Sequence, residues 1–407
     1  MTTWDVYFPC HIYFGAGRHK EVGKLVAAEG AKKVLIVYGG GSAKRTGVLP
    51  EIESLLDAEG IEYIELGGVK PNAQLSIMYE GIELIQKEGV DFVLAVGGGS
   101  VVDAAKTMIL GVEDPSVDVW QYYLRKAVPV PHPENHRKLG VVLTISGAGS
   151  DAIPGTNIVN DLVDPPQKLE FWDEIMRPVF DILNPEFLYT VPSYYMKCAA
   201  VDVVQHLLEG YFSHVAVQGN NITDRCTEQY MKTTIEAMYK FFPDQNDYDA
   251  ASDIMWAATS GHTFICRPGN VGDGATHRIA HMIGGIYNKI HGETLTCNWA
   301  YWAQYVMDTD YERFITLGKN VWGIPDDGRE DRRSLAMETV NAFVKFYKDM
   351  GLPTCYSELM GRTFTEDECK MLAYETAKCQ RPVEKYIGGF RKLYEDDIIQ
   401  IIHAANH

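Results

Sequence analysis

Residues 91–110, DFVLAVGGGSVVDAAKTMIL, decide the fold of this chain. The first six form a short, mostly apolar run, which is typical of a strand buried on both faces. Three glycines and Ser100 follow, and residues 101–110 have the spacing of a helix. A buried strand, a glycine turn and a helix form the repeating unit of parallel sheets that are covered by helices. The stretch therefore predicts an α/β domain.

The same order recurs through the first half of the chain and stops near Val191. The predicted strands are Lys33–Tyr38, Ile61–Leu66, Asp91–Val96 and Leu139–Ile145, and the predicted helices are Val48–Ala58, Leu75–Lys87 and Val101–Leu110. Beyond this point, helical segments without strand alternation follow one another at 193–213, 220–242, 249–265, 274–286, 333–350 and 364–378. We predict an α/β domain with a parallel sheet over 1–190 and an all-α domain over 191–407.

The composition is that of a globular cytoplasmic protein. Hydrophobic residues make up 46% and charged residues 23% of the 407 positions. A formal net charge of −18 argues against a nucleic-acid partner, which would need a basic surface. Eight cysteines without a Cys-x-x-Cys pair indicate reduced thiols. Because we find neither a signal peptide nor a membrane span, we expect a cytoplasmic location and no membrane partner.

Two ionisable side chains interrupt an apolar helical face in the second half. Asp202 and His206 are four residues apart, so on a helix they lie one above the other. Burying them among valines and leucines is costly unless something pairs with them, and a divalent metal ion would do so. A lone pair with this spacing is more often a helix surface or a satisfied core pair.

A second stretch supplies further ligands. His277, His281 and His291 lie in ATHRIAHMIGGIYNKIHG. In one straight helix the first and last would be roughly 21 Å apart and could not share an ion. Gly284, Gly285 and Asn288 offer a place for the chain to turn back. Asp202 with three neutral imidazoles would leave an ion room for a substrate oxygen, although spacing alone does not choose between His277 and His281.

Glycine loops follow two of the predicted strands. Residues 39–42 and 97–100 both read Gly-Gly-Gly-Ser, and glycines before a helix let the backbone approach a phosphate closely. The alternative is a tight strand-to-helix turn that needs small residues. Neither run fits the Gly-x-Gly-x-x-Gly fingerprint, because positions 44 and 102 are Lys and Val. A bound nucleotide is therefore expected, but without the usual fingerprint.

The residues after the first strand favour NADP(H) over NAD(H). A carboxylate near a strand end commonly binds the ribose 2′-hydroxyl of NAD. After Tyr38 there is no acid, and Lys44 and Arg45 follow the glycines. Glu65, at the end of the second strand, is the acid that would discriminate in an ordinary Rossmann order, so NAD(H) remains the alternative.

Together, the motifs resemble the iron-containing (group III) alcohol dehydrogenases, in particular their NADPH-dependent butanol dehydrogenase and aldehyde reductase branch. The likeness runs from Phe14-Gly15-Ala16-Gly17 to the C-terminal helices and is carried by VYGGGSAKRTG, AVGGGSVVDAAK, VDVVQH and MWAATSG. It implies a dinucleotide-binding domain followed by a helical metal-binding domain, the architecture of dehydroquinate synthase. The implied reaction moves hydride between NADP(H) and a primary alcohol or aldehyde such as butanol or butyraldehyde. We also expect a homodimer.

The resemblance implies a role for individual residues. Asp202, His206, His277 and His291 match the metal ligands, for Fe²⁺ or Zn²⁺ with Ni²⁺ or Co²⁺ as alternatives, and His281 matches a histidine that passes protons to solvent. The matching cofactor residues are Gly98, Gly99 and Ser100 at the pyrophosphate, Gly40, Gly41 and Ser42 at the 2′-phosphate, Asn72, Thr144 beneath the cofactor, and Lys168 near the nicotinamide ribose. Ala148 and a short insertion at 164–166 depart from the family pattern.

Three other functions stay open at this point. The first two are an NAD-dependent, glycerol-like polyol dehydrogenase and a dehydroquinate synthase-like lyase, which share the domain pairing. A synthase would need clustered basic side chains for its substrate, and those between 202 and 291 are not grouped near the ligands. The third is a non-catalytic metal- or nucleotide-binding protein, which the complete ligand set together with His281 disfavours.

Overall fold

The computed structural model describes residues 5–127, 135–213, 221–269, 272–380 and 385–407. These residues form two compact units. One comprises Phe8–Pro192 and Asp244–Met255, and the other comprises Ser193–Pro243, Trp256–His407 and the residues before Phe8. The predicted division into 1–190 and 191–407 stays a prediction. Residues 244–255 belong to the same compact unit as Phe8–Pro192.

The first unit is built on a parallel sheet of six strands in the order β1-β8-β5-β4-β2-β3. Its strands are β1 (His11–Phe14), β2 (Lys33–Gly39), β3 (Glu62–Val69), β4 (Phe92–Gly97), β5 (Lys138–Leu143) and β8 (Phe180–Leu183). All six residues of β4 are buried, as expected for a central strand with helices on both faces. Full burial of each large apolar side chain contributes about 1.5–3 kcal/mol.

The strand order creates a switch point beside β2. Because β3 and β4 lie on opposite sides of β2, the connections after β2 and β3 leave in opposite directions. Tyr38 on β2 is paired with Val96 on β4, and Gly97 is paired with Leu143 on β5. The loops that follow these three strands therefore share the carboxyl edge of the sheet, where open α/β sheets bind their ligands.

The remaining elements of this unit cover the sheet. An antiparallel hairpin pairs β6 (Gly155–Asn160) with β7 (Gln167–Trp172). The helices are α1 (Val22–Ala28), α2 (Ser42–Arg45), α3 (Val48–Ala58), α4 (Leu75–Glu88), α5 (Gly99–Glu113) and α6 (Trp120–Tyr123), with 3₁₀ turns at Arg18–Glu21, Glu174–Met176 and Pro185–Thr190. The predicted fold class is confirmed. The sequence patterns missed β1 and β8, which are only four residues long, and both strands of the β6–β7 hairpin.

From Ser193 onward the described chain is helical. The helices are α7 (Ser193–Tyr211), α8 (Asn221–Phe241), α9 (Tyr248–Ser260), α10 (Ala275–Tyr287), α11 (His291–Val306), α12 (Tyr311–Leu317), α13 (Arg332–Asp349), α14 (Tyr356–Met360), α15 (Glu366–Gln380) and α16 (Glu395–Ala405). Gly261–Ile265 and Gly318–Trp322 are π-helical, and Met307–Thr309 is a 3₁₀ turn. Residue 220, where we predicted the start of α8, lies outside the described residues. Within the described ranges, no helix combines the length and apolar character needed to span a membrane.

The turn that was predicted between His277 and His291 is confirmed. Helix α10 ends at Tyr287, and Asn288 caps it with a φ of 51°, in the left-handed region that asparagine tolerates. Helix α11 then begins at His291. Gly284 and Gly285 lie inside α10, so Asn288 makes the reversal.

Candidate metal centre and nucleotide site

Helix α7 carries the first two candidate ligands into the interior of the helical unit. Its residues from Ala200 to Val204 are all buried, and Asp202 is only 5% exposed. One turn later, the His206 side chain is 13% exposed. The apolar face that predicted this helix therefore encloses the two polar side chains, as the spacing indicated.

The other two candidate ligands approach from the α10–α11 turn. His277 lies on α10 and is 5% exposed, and His291 is the first residue of α11. The neighbouring Gly292 explains how His291 comes so close to α7. A Cβ at this glycine would lie 2.1 Å from the carbonyl oxygen of Cys198, so any larger residue would push the two helices apart.

Three imidazole nitrogens approach one carboxylate oxygen. Oδ1 of Asp202 lies 3.5 Å from Nε2 of His206, 3.5 Å from Nε2 of His277 and 3.7 Å from Nε2 of His291. These contacts exceed the 2.7–3.2 Å of an N–H···O hydrogen bond. They match the edge of a tetrahedron, which is about 3.4 Å when each ligand lies about 2.1 Å from a central metal ion. Asp202, His277 and His291 offer ligand atoms that all lie within 4.8 Å of one another, so these three are spaced to enclose an ion. At the same distance, His206 groups with His277 and Glu209.

Buried atoms without hydrogen bonds support the same assignment. Among the residues that the structure describes, Oδ1 of Asp202 and Nε2 of His277 are inaccessible to solvent and have no hydrogen-bond partner. Such groups cost about 1–3 kcal/mol each when nothing pairs with them. A divalent ion at their meeting point would satisfy both. The donor set of one carboxylate and three imidazoles suits Fe²⁺, Zn²⁺, Co²⁺ or Ni²⁺.

His281 lies beside this set and not within it. It is buried on α10, and its ring stacks on that of His291 with a centroid distance of 4.9 Å and an interplanar angle of 30°. Its ring centroid is 6.2 Å from that of His277. The carboxylate of Asp202 has close contacts with the rings of His277 and His291, which favours His277 over His281 as the ligand.

Two residues near the ligands were not singled out from the sequence. Glu209 is one turn beyond His206, and its Oε2 lies 3.1 Å from Nδ1 of His277. His262, in the π-helical turn after α9, stacks on the His206 ring at a centroid distance of 3.9 Å. The spacing 202, 206, 209 places Glu209 on the ligand face of α7, so an i, i+4, i+7 search would have found it. No comparable signal in the sequence indicates His262.

In the α/β unit, the loop after β4 is held by packing. A Cβ at Gly98 would lie 2.1 Å from Cγ2 of Ile145, and one at Gly97 would lie 2.5 Å from Cγ2 of Val101. Tight packing alone therefore accounts for these two glycines, as the alternative interpretation held. Gly99 is less constrained, since its nearest neighbour is Oγ of Ser150 at 3.4 Å. Helix α5 begins there, so the unbonded N–H groups of its first turn start beside Ser100.

The short helix after β2 places Lys44 against Glu65, which lies inside β3 opposite Ile36 and not at the strand end where the sequence pattern placed it. Gly41 has a φ of 99° and precedes the short helix that starts at Ser42, whereas a Cβ at Gly40 would meet nothing within 4 Å. Nζ of Lys44 forms a 2.8 Å ion pair with Oε2 of Glu65. This Lys44 contact lowers the pKa of the Glu65 carboxyl. Glu65 is thus ionised, and its charge is matched by a lysine.

Further candidate cofactor residues meet in the α/β unit. Nζ of the buried Lys168 donates a 3.1 Å hydrogen bond to Oδ1 of Asn72, whose φ of 59° is unusual for a residue other than glycine. Strained backbone of this kind is common at functional sites. The backbone N–H of Thr144 donates a 2.9 Å bond to the carbonyl of Gly97, so Thr144 adjoins the β4 loop. Asp103 is also buried nearby, and burial raises its pKa to about 6.

The two departures from the family pattern, Ala148 and the insertion at 164–166, lie in different loops. The Cβ of Ala148 would be 3.6 Å from a Cβ at Gly99, so a larger residue at 148 would press on the start of α5. Residues 164–166 lie in the hairpin loop between β6 and β7, two residues before Lys168.

Comparison with known proteins identifies the family. Residues 9–185 match the iron-containing alcohol dehydrogenase family, and residues 198–406 match the C-terminal domain of the Fe-containing alcohol dehydrogenase family. The chain belongs to the iron-containing alcohol dehydrogenases. The resemblance inferred from the sequence motifs is confirmed.

Individual relatives cover the whole chain. It is 31% identical over 405 residues to a probable NADH-dependent butanol dehydrogenase 2 of Bacillus subtilis (strain 168), with all of both chains covered. It is 29% identical to the NADPH-dependent aldehyde reductase YqhD of Escherichia coli (strain K12), covering 88% of this chain and 89% of the relative. The crystal structure of NADH-dependent butanol dehydrogenase A from Thermotoga maritima has a TM-score of 0.90 at 29% identity, with 100% and 99% coverage.

Family membership determines the reaction class. The protein is an NAD(P)-dependent alcohol dehydrogenase, an oxidoreductase acting on CH–OH groups. This result favours the hydride-transfer prediction over the lyase and the non-catalytic alternatives. The two groups of residues described above are accordingly the candidate metal centre and the candidate nucleotide site of such an enzyme.

We predict that Asp202→Asn removes the bound metal. The substitution keeps the shape of the side chain and removes the negative charge among the candidate ligands, so neutral imidazoles alone would face the ion. Metal content per chain, measured after purification without oxygen, should fall close to zero, while nucleotide binding by the α/β unit stays at its wild-type level. Asp349→Asn is the control, because Asp349 bonds Lys345 and Tyr239 instead. Full metal content in Asp202→Asn would contradict the ligand assignment.

Proposed function

We propose that this enzyme moves hydride between NADP(H) and a primary alcohol or aldehyde such as butanol or butyraldehyde, at one Fe²⁺ or Zn²⁺ ion. The observation that carries the proposal is the approach of three imidazole Nε2 atoms to within 3.5–3.7 Å of one buried carboxylate oxygen. Asp202, His206, His277 and His291 are the proposed ligands. When bound, the ion would supply Lewis-acid polarisation of the carbonyl group, and the nicotinamide would supply the hydride.

The protein residues contribute position and exclusion of water. Asp202 and His277 are each 5% exposed, whereas the His291 side chain is 22% exposed, so solvent is excluded mainly on the side of Asp202 and His277. In a water-poor environment, electrostatic interactions with a developing alkoxide charge are stronger. The proposed pyrophosphate residues Gly98, Gly99 and Ser100 form the junction of β4 with α5, where a helix N-terminus favours anions.

His281 is the proposed proton carrier. Its ring stacks on that of the proposed ligand His291 at a centroid distance of 4.9 Å, so His291 lies between His281 and the proposed ion. An imidazole exchanges protons near neutral pH, which suits a group that gives a proton to an alkoxide or takes one from the alcohol.

The cofactor preference depends on how Glu65 is used. Its carboxylate would repel a 2′-phosphate if it were free, but Lys44 pairs with it at 2.8 Å. Arg45, next to Lys44, adds a second positive charge. The proposed 2′-phosphate residues Gly40, Gly41 and Ser42 lie directly before this pair, and Asn72, Thr144 and Lys168 are the other proposed cofactor contacts. The names of the relatives do not decide the matter, since some are NADH-dependent and others NADPH-dependent.

The remaining parts of the proposal concern organisation. Butanol dehydrogenases and an aldehyde reductase among the relatives support a small alcohol or aldehyde as the substrate. We propose that residues 1–190 act as the dinucleotide-binding domain and residues 191–407 as the metal-binding domain. A homodimer in the cytoplasm is the assembly and location that we propose for it.

We predict that the wild-type enzyme reduces butyraldehyde with NADPH at least about tenfold better than with NADH in kcat/KM, a difference of roughly 1.4 kcal/mol. Gly39→Asp should shift this ratio toward NADH, because its carboxylate would oppose the 2′-phosphate at the tip of β2. A Cβ fits at this position, since its nearest neighbour would be the Val69 carbonyl oxygen at 3.4 Å. Steady-state rates with both cofactors and one aldehyde measure the ratio.

The control for this experiment is Gly39→Asn, which has the same size without the charge. Lys44→Met provides a second comparison, because it leaves the Glu65 carboxylate without its cation. Like Gly39→Asp, it should lower kcat/KM for NADPH more than for NADH. Equal use of both cofactors by the wild type would contradict the preference, and absence of any aldehyde reduction after metal loading would contradict the proposed activity.

We predict that His281→Ala keeps its metal but loses about 100-fold or more in kcat, the usual range for a group that transfers a proton. The pH profile of kcat should also lose the limb that reports this imidazole. Metal content and kcat are to be measured from pH 5 to 9 alongside His403→Ala, a histidine on α16 that pairs with Glu366. Loss of metal from His281→Ala together with retention by His277→Ala would exchange the roles of the two residues.

A further inference from the structure

Helix α7 presents a third polar side chain in line with the two candidate ligands. Asp202, His206 and Glu209 occupy positions i, i+4 and i+7, which lie on one face of a helix. The Glu209 side chain is 18% exposed. It therefore belongs to the same interior cluster, and yet it lies outside the set of four that encloses the proposed ion.

Glu209 contacts the outer nitrogens of two ligand rings. Its Oε2 lies 3.1 Å from Nδ1 of His277, within hydrogen-bond distance, and 3.7 Å from Nδ1 of His206, beyond it. Neither Nδ1 has an aligned hydrogen bond to any residue that the structure describes, so each is left for the carboxylate to satisfy. The opposite nitrogen, Nε2, of each ring faces Oδ1 of Asp202 at 3.5 Å. Each imidazole is thus placed between two carboxylates, with Asp202 on one side and Glu209 on the other.

Either carboxylate could in principle bind the ion, and the surrounding charges separate the two. Three imidazole nitrogens converge on Asp202, whereas two face Glu209. In addition, Nη2 of Arg267 lies 3.8 Å from the same Oε2 of Glu209. A guanidinium is always positively charged and would repel a divalent ion at this point. The ion therefore belongs at Asp202, and Glu209 remains behind the two rings.

We propose that Glu209 is a positioning residue that holds His277 as the tautomer with hydrogen on Nδ1. A neutral imidazole has one N–H and one lone pair, and the hydrogen bond of the N–H determines which nitrogen can bind a metal. A carboxylate behind Nδ1 keeps the lone pair on Nε2, directed at the ion, and makes the ring a stronger donor. This inference rests on the proposed ligand set.

The turn before α10 packs against Glu209. The backbone N–H of Asp273 donates a 3.0 Å bond to the Glu209 carbonyl, just before the helix that carries His277. Gly274, with a φ of 69°, lets that turn pass close to the carboxylate, because a Cβ there would be 3.0 Å from Oε1. On the far face of the neighbouring ligand ring, His262 stacks at 3.9 Å from His206.

The test is metal affinity, measured on metal-free full-length protein. Co²⁺ is titrated in competition with a chelating dye into the wild type, Glu209→Gln, Glu209→Ala and Asp202→Asn. Glu209→Gln should bind one Co²⁺ per chain about 10- to 100-fold more weakly than the wild type, the range that loss of such a partner causes. The visible absorption spectrum of bound Co²⁺ should keep its wild-type form, since the four ligands are unchanged. Glu209→Ala should be at least as weak.

The matched control is Glu228→Gln. Glu228 is also a buried acid of the helical unit, but its carboxylate bonds Tyr211, Arg225 and Asn320. Its variant should bind Co²⁺ as the wild type does. Unfolding temperatures of the metal-free proteins separate positioning from general stability, because Glu209→Gln should weaken Co²⁺ binding without a matching loss of stability.

The possible results have distinct meanings. Wild-type affinity in Glu209→Gln, with loss of Co²⁺ from Asp202→Asn, would overturn the role of Glu209 and leave the four ligands intact. Loss of Co²⁺ from Glu209→Gln, with retention by Asp202→Asn, would make Glu209 a direct ligand and overturn both the inference and the proposed metal centre. A weakened affinity that simply follows a lowered unfolding temperature would also overturn the positioning role.

Discussion

The helical unit depends on how one buried carboxylate and three imidazoles are satisfied. A charged group taken out of water is expensive unless an opposite charge or a metal ion compensates for it. Asp202 lies on an otherwise apolar stretch of α7, and the nearest atoms to its Oδ1 from the other ligands are 3.5–3.7 Å away. That separation suits ligands around an ion and is too long for direct hydrogen bonds. With a metal ion bound, the same arrangement would provide the Lewis-acid site that we propose for alcohol and aldehyde chemistry.

The approach of α11 to α7 is the second constraint. His291 can reach the other ligands because the chain reverses at Asn288 and because Gly292 packs against the carbonyl of Cys198. Neither feature touches the proposed ion. Both let side chains from three helices, α7, α10 and α11, come together. His281 stacks beside His291. In the α/β unit, the parallel register of the strands brings the loops after β2, β4 and β5 to one edge of the sheet.

Much of this arrangement could be predicted from the sequence, and the limits have physical causes. The apolar runs and glycine turns predicted the parallel sheet, and the four-residue spacing predicted that Asp202 and His206 share a helix face. Strands β1 and β8 were not predicted, because a run of four residues is too short to show a recognisable hydrophobic periodicity. Spacing could not choose between His277 and His281, since both point the same way from α10. The choice depends on tertiary distances to Asp202, which no local pattern contains.

Contacts across long sequence separations account for the other omissions. The ion pair of Lys44 with Glu65 links helix α2 with strand β3, and it neutralises an acid that would otherwise favour NAD(H). The hydrogen bond of Lys168 with Asn72 joins residues 96 positions apart. His262 gave no sequence signal because only the fold stacks it on His206. The sequence predicted which side chains lie together on one helix or loop. It did not predict contacts between side chains that are far apart in the sequence.

The most direct test of this account is anomalous diffraction from crystals of metal-loaded protein, recorded on both sides of the absorption edge of the bound metal. We expect one strong peak per chain, about 2.1 Å from Oδ1 of Asp202 and from the Nε2 atoms of His206, His277 and His291. A peak between Glu209 and the Nδ1 atoms of His206 and His277, or one remote from all four ligands, would contradict it.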